Sequence, residues 1–168
     1  IVASGMGTSS IESEEFSTIS NIKLANVKLS MIAESEADKR ANHAFFIKNA
    51  DSLELNNFSV DWNDGQPQST WKNTIFAINV DHLIIRDFES TPNGNRSNSP
   101  IIYLDNTTDV RIENATLTAA EKTFISIEGR NSHNIQLKSI DPLKMSQTPL
   151  ILSDKISNPS SIQIQDER

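Results

Sequence analysis

Apolar residues recur along this chain in short alternating runs, each broken by Asn or Asp. That period of two reads as strands with one face buried. The clearest run, Leu53-Glu-Leu-Asn-Asn-Phe58, pairs two inward positions with an Asn turn and then a third apolar residue that resumes the inward direction. Copies follow the same plan at Ile22-Lys-Leu-Ala-Asn-Val27, Leu83-Ile-Ile-Arg-Asp-Phe88, Val110-Arg-Ile-Glu-Asn-Ala115, Ile135-Gln-Leu-Lys-Ser-Ile140 and a truncated Ile162-Gln-Ile164. Their starts lie 31, 30, 27, 25 and 27 residues apart, an uneven period that marks a solenoid whose coils differ mainly in loop length.

Each later copy is preceded by a more apolar run: Ala44-Phe-Phe-Ile47, Thr74-Ile-Phe-Ala-Ile78, Ile101-Ile-Tyr-Leu104, Thr123-Phe-Ile-Ser-Ile127 and Leu150-Ile-Leu152. Polar turns such as Asn49-Ala-Asp51 and Asn79-Val-Asp81 separate the two. Three short strands per coil, stacked in parallel about 4.8 Å apart, predict an all-β fold, a right-handed parallel β-helix of about five to six coils. A β-sandwich is the rival, but it does not require the same turn residue at every copy. That column, Asn26, Asn57, Asp87, Asn114 and Ser139, reads as an internal polar ladder fixing a corner, since Asn tolerates left-handed backbone. A carboxamide row holding ligand is the functional alternative. The β-helix domain runs over 20–168. Residues 1–19 form a lead-in, where the capping-box pattern Ser9-Ser-Ile-Glu12 predicts one or two helical turns over 11–16, covering the open first edge.

Charge and composition narrow the function. Fifteen Lys plus Arg against 22 Asp plus Glu give a net charge of −7, without the basic footprint of a nucleic-acid binder and repelled by anionic lipid. No apolar run approaches the roughly 20 residues that span a bilayer. The chain has no Cys, which removes disulfides and thiolate metal sites. Its start on Ile1 suggests processing or excision from a longer chain.

The chain resembles the C-terminal coils of bacterial family 28 glycoside hydrolases, the polygalacturonase and rhamnogalacturonase group of the pectin-lyase-like β-helix superfamily. The likeness is carried by Lys122-Thr-Phe-Ile-Ser-Ile-Glu-Gly-Arg-Asn-Ser-His-Asn-Ile-Gln-Leu137, with Asp61-Trp62, Trp71-Lys72 and Asn114-Ala-Thr116, and spans residues 20–165. It implies a secreted or periplasmic bacterial protein, with catalytic coils N-terminal to this segment. The family's catalytic Asp-Asp pair, Gly-His-Gly and Arg-x-Lys are absent here, so no catalytic residue is assigned. An inverting pair needs carboxyl groups roughly 6.5–9.5 Å apart. The two Asn-x-Asp matches, at Asn49 and Asn79, occupy equivalent turns and read as turn formers.

No cofactor is implied. His43, His82 and His133 have no carboxylate at ligand-like spacing, and the latter two read as solvated turn residues. Asp61, Asp64 and Glu89 follow no known calcium loop, so no metal site is assigned. The four Asn-x-Ser/Thr sequons, at Asn57, Asn95, Asn106 and Asn114, read largely as products of the turns.

The sharpest functional expectation comes from aromatic placement. Aligned coils put Phe46, Phe76 and Tyr103 in one outward column, with Phe45, Ile47, Ile75, Ala77, Ile102 and Leu104 inward. With Trp62 and Trp71 nearby, and Asp61, Lys72 and Arg96 in the adjoining loops at 61–73 and 89–100, this column predicts a platform for a pectic polysaccharide. Burial of the column under a loop or partner subunit is the competing expectation, with Trp62 and Trp71 then pinning the 61–73 loop. Convergence of Lys39, Arg40, Lys72 and Arg96 on one face favours sugar binding. Three classes follow: the non-catalytic C-terminal portion of a pectin-active hydrolase, a stand-alone carbohydrate-binding β-helix, and a structural or self-associating one.

Overall fold

A computed structural model describes residues 2–5, 7–35, 40–62, 67–94, 99–118, 123–141 and 150–165. The chain forms one parallel sheet wound into a β-solenoid of about four turns, fewer than the five to six expected. Its body is four long strands: β3 (Ile19–Met31), β4 (His43–Trp62), β5 (Asn73–Ser90) and β6 (Ile102–Leu117). Below them β7 (Ile125–Glu128) and β9 (Leu150–Leu152) continue one side of the coil, and β8 (His133–Ile140) and β10 (Ile162–Gln165) another. Every pairing is parallel, and the register stacks the repeat copies as aligned, Leu24 on Leu55 on Ile85 and Ile112 on Leu137 on Ile164.

The three short strands expected in each coil are instead one continuous strand bent at three points. Each bend is a single residue with φ between 49° and 59°, which rotates the chain and drops out of the pairing while its neighbours on both sides stay in register. The expected column of Asn26, Asn57, Asp87, Asn114 and Ser139 is one such corner. Two further columns do the same work: Asn49, Asn79 and Asn106, continued by Gly129 at φ 82°, and Asn21, Ser52, His82, Asp109 and Asn134. Side-chain ladders link neighbouring coils, with Asn57 Nδ2 donating to Asn26 Oδ1 at 2.8 Å, Asn114 Nδ2 to Asp87 Oδ1 at 3.0 Å and Asn79 Nδ2 to Asn49 Oδ1 at 3.1 Å.

The expected helical lead-in is not formed. Residues Val2–Gly5 (β1) pair with Lys28–Met31, and Ser9–Glu12 (β2) with Phe45–Lys48. Ile11 joins the inward column of Ile47 and Ala77, and that hydrophobic register outweighs the capping-box pattern over Ser9 and Glu12.

Inside the coils, stacked Leu, Ile and Phe side chains fill the interior. Leu53, Leu55, Phe58, Leu83, Ile85, Phe88 and Ile112 are all at most 1% exposed. Burial of each contributes about 1.5–3 kcal/mol. Outside the second side of the coil runs an ion ladder: Arg86 Nη1 meets Glu54 Oε1 at 2.7 Å and its Nε meets Glu113 Oε2 at 3.0 Å, with Lys23 on Glu54 at 3.0 Å. The hydrogen bond from Asn56, then the bond and charge from Lys23, hold the Glu54 carboxyl below its ordinary range.

Candidate carbohydrate-binding face

Strand alternation decides which rings can meet a ligand. On the first side of the coil Phe45, Ile75 and Ile102 point into the core, and their neighbours Phe46, Phe76 and Tyr103 stand outside and half-buried, in register across three coils. Phe76 and Tyr103 stack at 4.7 Å with planes 8° apart, and Phe46 and Phe76 lie 5.6 Å apart. His43 extends the column, 4.6 Å from Phe76 and 6.2 Å from Phe46. Burial, reinforced by the charge of Lys72, lowers the His43 pKa to about 4, so its ring is neutral at pH 7 and behaves as a fourth aromatic face.

Polar groups border both ends of this column. Lys72 is exposed beside His43, its backbone fixed by a bond from its N to Asn42 O at 2.7 Å and by Asn93 Nδ2 on its carbonyl at 2.7 Å. At the other end Asp105 and Glu128 are register partners in adjacent strands. Burial and the Glu128 hydrogen bond push the Tyr103 hydroxyl pKa well up; burial, then the charge of Glu128, raises Asp105, with Lys155 opposing. The rings cover one another's faces and turn their edges outward, so the column offers an apolar strip, bordered by polar groups, that can lie against the C–H face of a sugar while those groups bond its hydroxyls.

The remaining expected contacts fall elsewhere. Trp62 and Trp71 are 2% and 0% exposed, with rings 4.9 Å apart. They belong to the interior and offer no surface to a sugar. Trp62 Nε1 donates to Thr74 Oγ1 at 3.0 Å, Thr74 meets Ser90 Oγ at 3.0 Å, and Thr91 Oγ1 accepts from Trp62 N at 2.7 Å. This buried polar chain ties the end of β4 to both ends of β5 in the next coil. Asp61 is exposed on the third side, in a small depression of about 170 Å³ with Lys28, Ser59 and Glu89, apart from the groups that border the aromatic column. Arg96, Lys39, Asp64 and Asn95 lie outside the described residues. Arg40 is exposed, its backbone N bonded to Glu34 Oε2 at 2.6 Å.

Sequence spacing hid the partners of His82. Coil stacking brings its Nδ1 within 2.8 Å of Asp51 Oδ1 and its Nε2 within 3.6 Å of Asp109 Oδ2, carboxylates 31 residues before it and 27 after. Among the described residues no group of three or more His, Asp or Glu is arranged to hold a metal ion. No described helix is long and apolar enough to cross a membrane. The fold and face define a parallel β-solenoid with an outward aromatic column. No family model, curated protein or solved structure matches this chain.

Proposed function

We propose that this chain is the non-catalytic C-terminal β-helix portion of a polysaccharide-active glycoside hydrolase of the pectin-degrading type, extending the solenoid and contributing a sugar-binding face. The observation that carries the reading is the outward stack of Phe46, Phe76 and Tyr103, roughly one ring per coil, edged by Lys72, Asp105 and Glu128. Parallel coils place equivalent side chains about 4.8 Å apart along the axis, a spacing suited to an extended polymer of sugar rings. The resemblance to family 28 supplies the substrate class, and the parent's catalytic coils would then stack on the edge of β1 and β2.

Incubation of this chain alone with polygalacturonate tests both halves of the proposal. Retention on the polymer without release of reducing ends is the expected result, and measurable hydrolysis would overturn the non-catalytic assignment. Phe76→Ala and Tyr103→Ala should each weaken retention by up to about ten-fold, as loss of one ring contact predicts. Retention unchanged in both variants would leave only the structural role.

A further inference from the structure

The second side of the coil carries a row of outward positions, Lys23, Glu54, Ile84, Arg111 and Gln136, one from each coil. Four of the five are charged or polar. The apolar exception, Ile84, is half-buried and forms the floor of a cleft of about 320 Å³. Its walls are His82 and Asp109 on the corner column, Asn134 one coil below, and Arg111 and Gln136 along the row.

Several of these groups retain bonding capacity. Among the described residues the Arg111 guanidinium has only a 3.8 Å contact to Glu113, with its side chain 49% exposed, and the Gln136 amide has no side-chain hydrogen bond. Asn134 spends its Nδ2 on Asp109 Oδ1, and its side-chain Oδ1 makes no hydrogen bond among the described residues. A small apolar floor framed by planar, two-sided hydrogen-bonding groups matches a pyranose, which presents a C–H face and a rim of hydroxyls.

Charge selects among sugars. Asp51, Asp81 and Asp109 all act on His82, and Glu113 is shared between Arg86 at 3.0 Å and Arg111 at 3.8 Å, so four carboxylates stand against two guanidiniums and one imidazole. A carboxylated sugar would meet net repulsion here. We infer that the cleft over Ile84 is a second glycan site, distinct from the aromatic column, that takes neutral sugar units of a polysaccharide lying along the solenoid axis. This rests on the carbohydrate-binding reading above and adds to it a separate location and a preference for uncharged units.

The test uses isotope-labelled intact chain with a neutral galactan oligosaccharide and an oligogalacturonide of equal length. Addition of the neutral probe should shift the Gln136 side-chain amide and the backbone signals of Ile84 and Asn134. Ile84→Gln keeps a strand-compatible side chain and removes the apolar floor, and Gln136→Ala removes the amide. Each should weaken neutral-probe binding about ten-fold with an unchanged melting temperature. Equal or tighter binding of the oligogalacturonide at these residues would overturn the preference. Neutral binding that is lost in Phe76→Ala but intact in Ile84→Gln and Gln136→Ala would overturn the second site and leave the aromatic face standing. If neither probe binds the chain, both readings fall.

Discussion

His82 shows how much one side chain gains from its place in a coil. It occupies a left-handed corner at φ 51°, a position its column otherwise gives to Asn, Ser or Asp, and its ring bridges carboxylates from the coils above and below. The hydrogen bond to Asp51, then the charges of Asp51, Asp109 and Asp81, raise its pKa above the ordinary 6.5, with desolvation opposing. A raised imidazole pKa stabilises the fold fully below about 6.5 and loses that contribution as pH rises through the folded value. His43 has the opposite sign. Its pKa of about 4 means the native state stays neutral while the unfolded chain takes up a proton, so stability falls between pH 6.5 and 4. Proton NMR titration should find His82 protonating above pH 6.5 and His43 neutral at pH 5. His82→Gln should flatten the decline in melting temperature between pH 6 and 8, and an unchanged decline would show that the bridge contributes nothing. The effect is small, because His82 is 61% exposed and solvent screens the pair.

At the scale of the strand, the long elements depend on their corners. An unbranched polar side chain can sit in left-handed backbone, bond its neighbour in the next coil and let the parallel pairing resume at the following residue. The Asn49, Asn79 and Asn106 column changes at its fourth position to Gly129, and the reason is space. A Cβ there would lie 2.5 Å from Asn106 N and 2.5 Å from Asp105 Oδ1. Gly129→Ala should therefore cost roughly 1–3 kcal/mol in chemical denaturation, from the left-handed strain plus displacement of the β6 corner at Asp105 and Asn106. A change below about 0.5 kcal/mol would mean that the corner relaxes freely. This column was legible in the sequence only as turns that happened to contain Asn. The repeat copies made the third corner visible, because an apolar residue follows it at constant spacing. Of the other two, the Asn-x-Asp turns at Asn49 and Asn79 matched in sequence, whereas Asn106, Gly129 and the whole column of Asn21, Ser52, His82, Asp109 and Asn134 are aligned only by the register. The same holds for the ladder of Lys23, Glu54, Arg86 and Glu113, whose members are 27 to 32 residues apart in sequence.

The whole molecule behaves as a stack in which each coil touches only its neighbours, so stability is a sum of coil and interface terms. Central coils have two neighbours and terminal ones a single neighbour. Exposure follows: Leu55, Ile85 and Ile112 are fully buried, whereas Ile164 in the same column is 58% exposed, with Ile151 and Leu152 at 41% and 39% on the adjoining side. Amide hydrogen exchange should be slowest at Leu55, Ile85 and Ile112 and fastest in β1, β9 and β10. Uniform protection from end to end would show global, all-or-none unfolding instead.

What the linear pattern determined was the winding. Alternation gave the strands, the 25–31-residue recurrence set the coil, and the inward columns matched the observed register residue by residue. The same alternation placed Phe46, Phe76 and Tyr103 outside, because adjacent strand positions must face opposite ways. Tertiary structure alone decided the rest. Trp71, just before β5, went into the interior against Trp62, which continues the inward alternation of Phe58 and Val60 at the end of β4. His43 beside Phe76, Glu128 beside Tyr103, and Arg111 and Gln136 around Ile84 became neighbours through stacking across coils, an adjacency between positions tens of residues apart that local patterning does not encode.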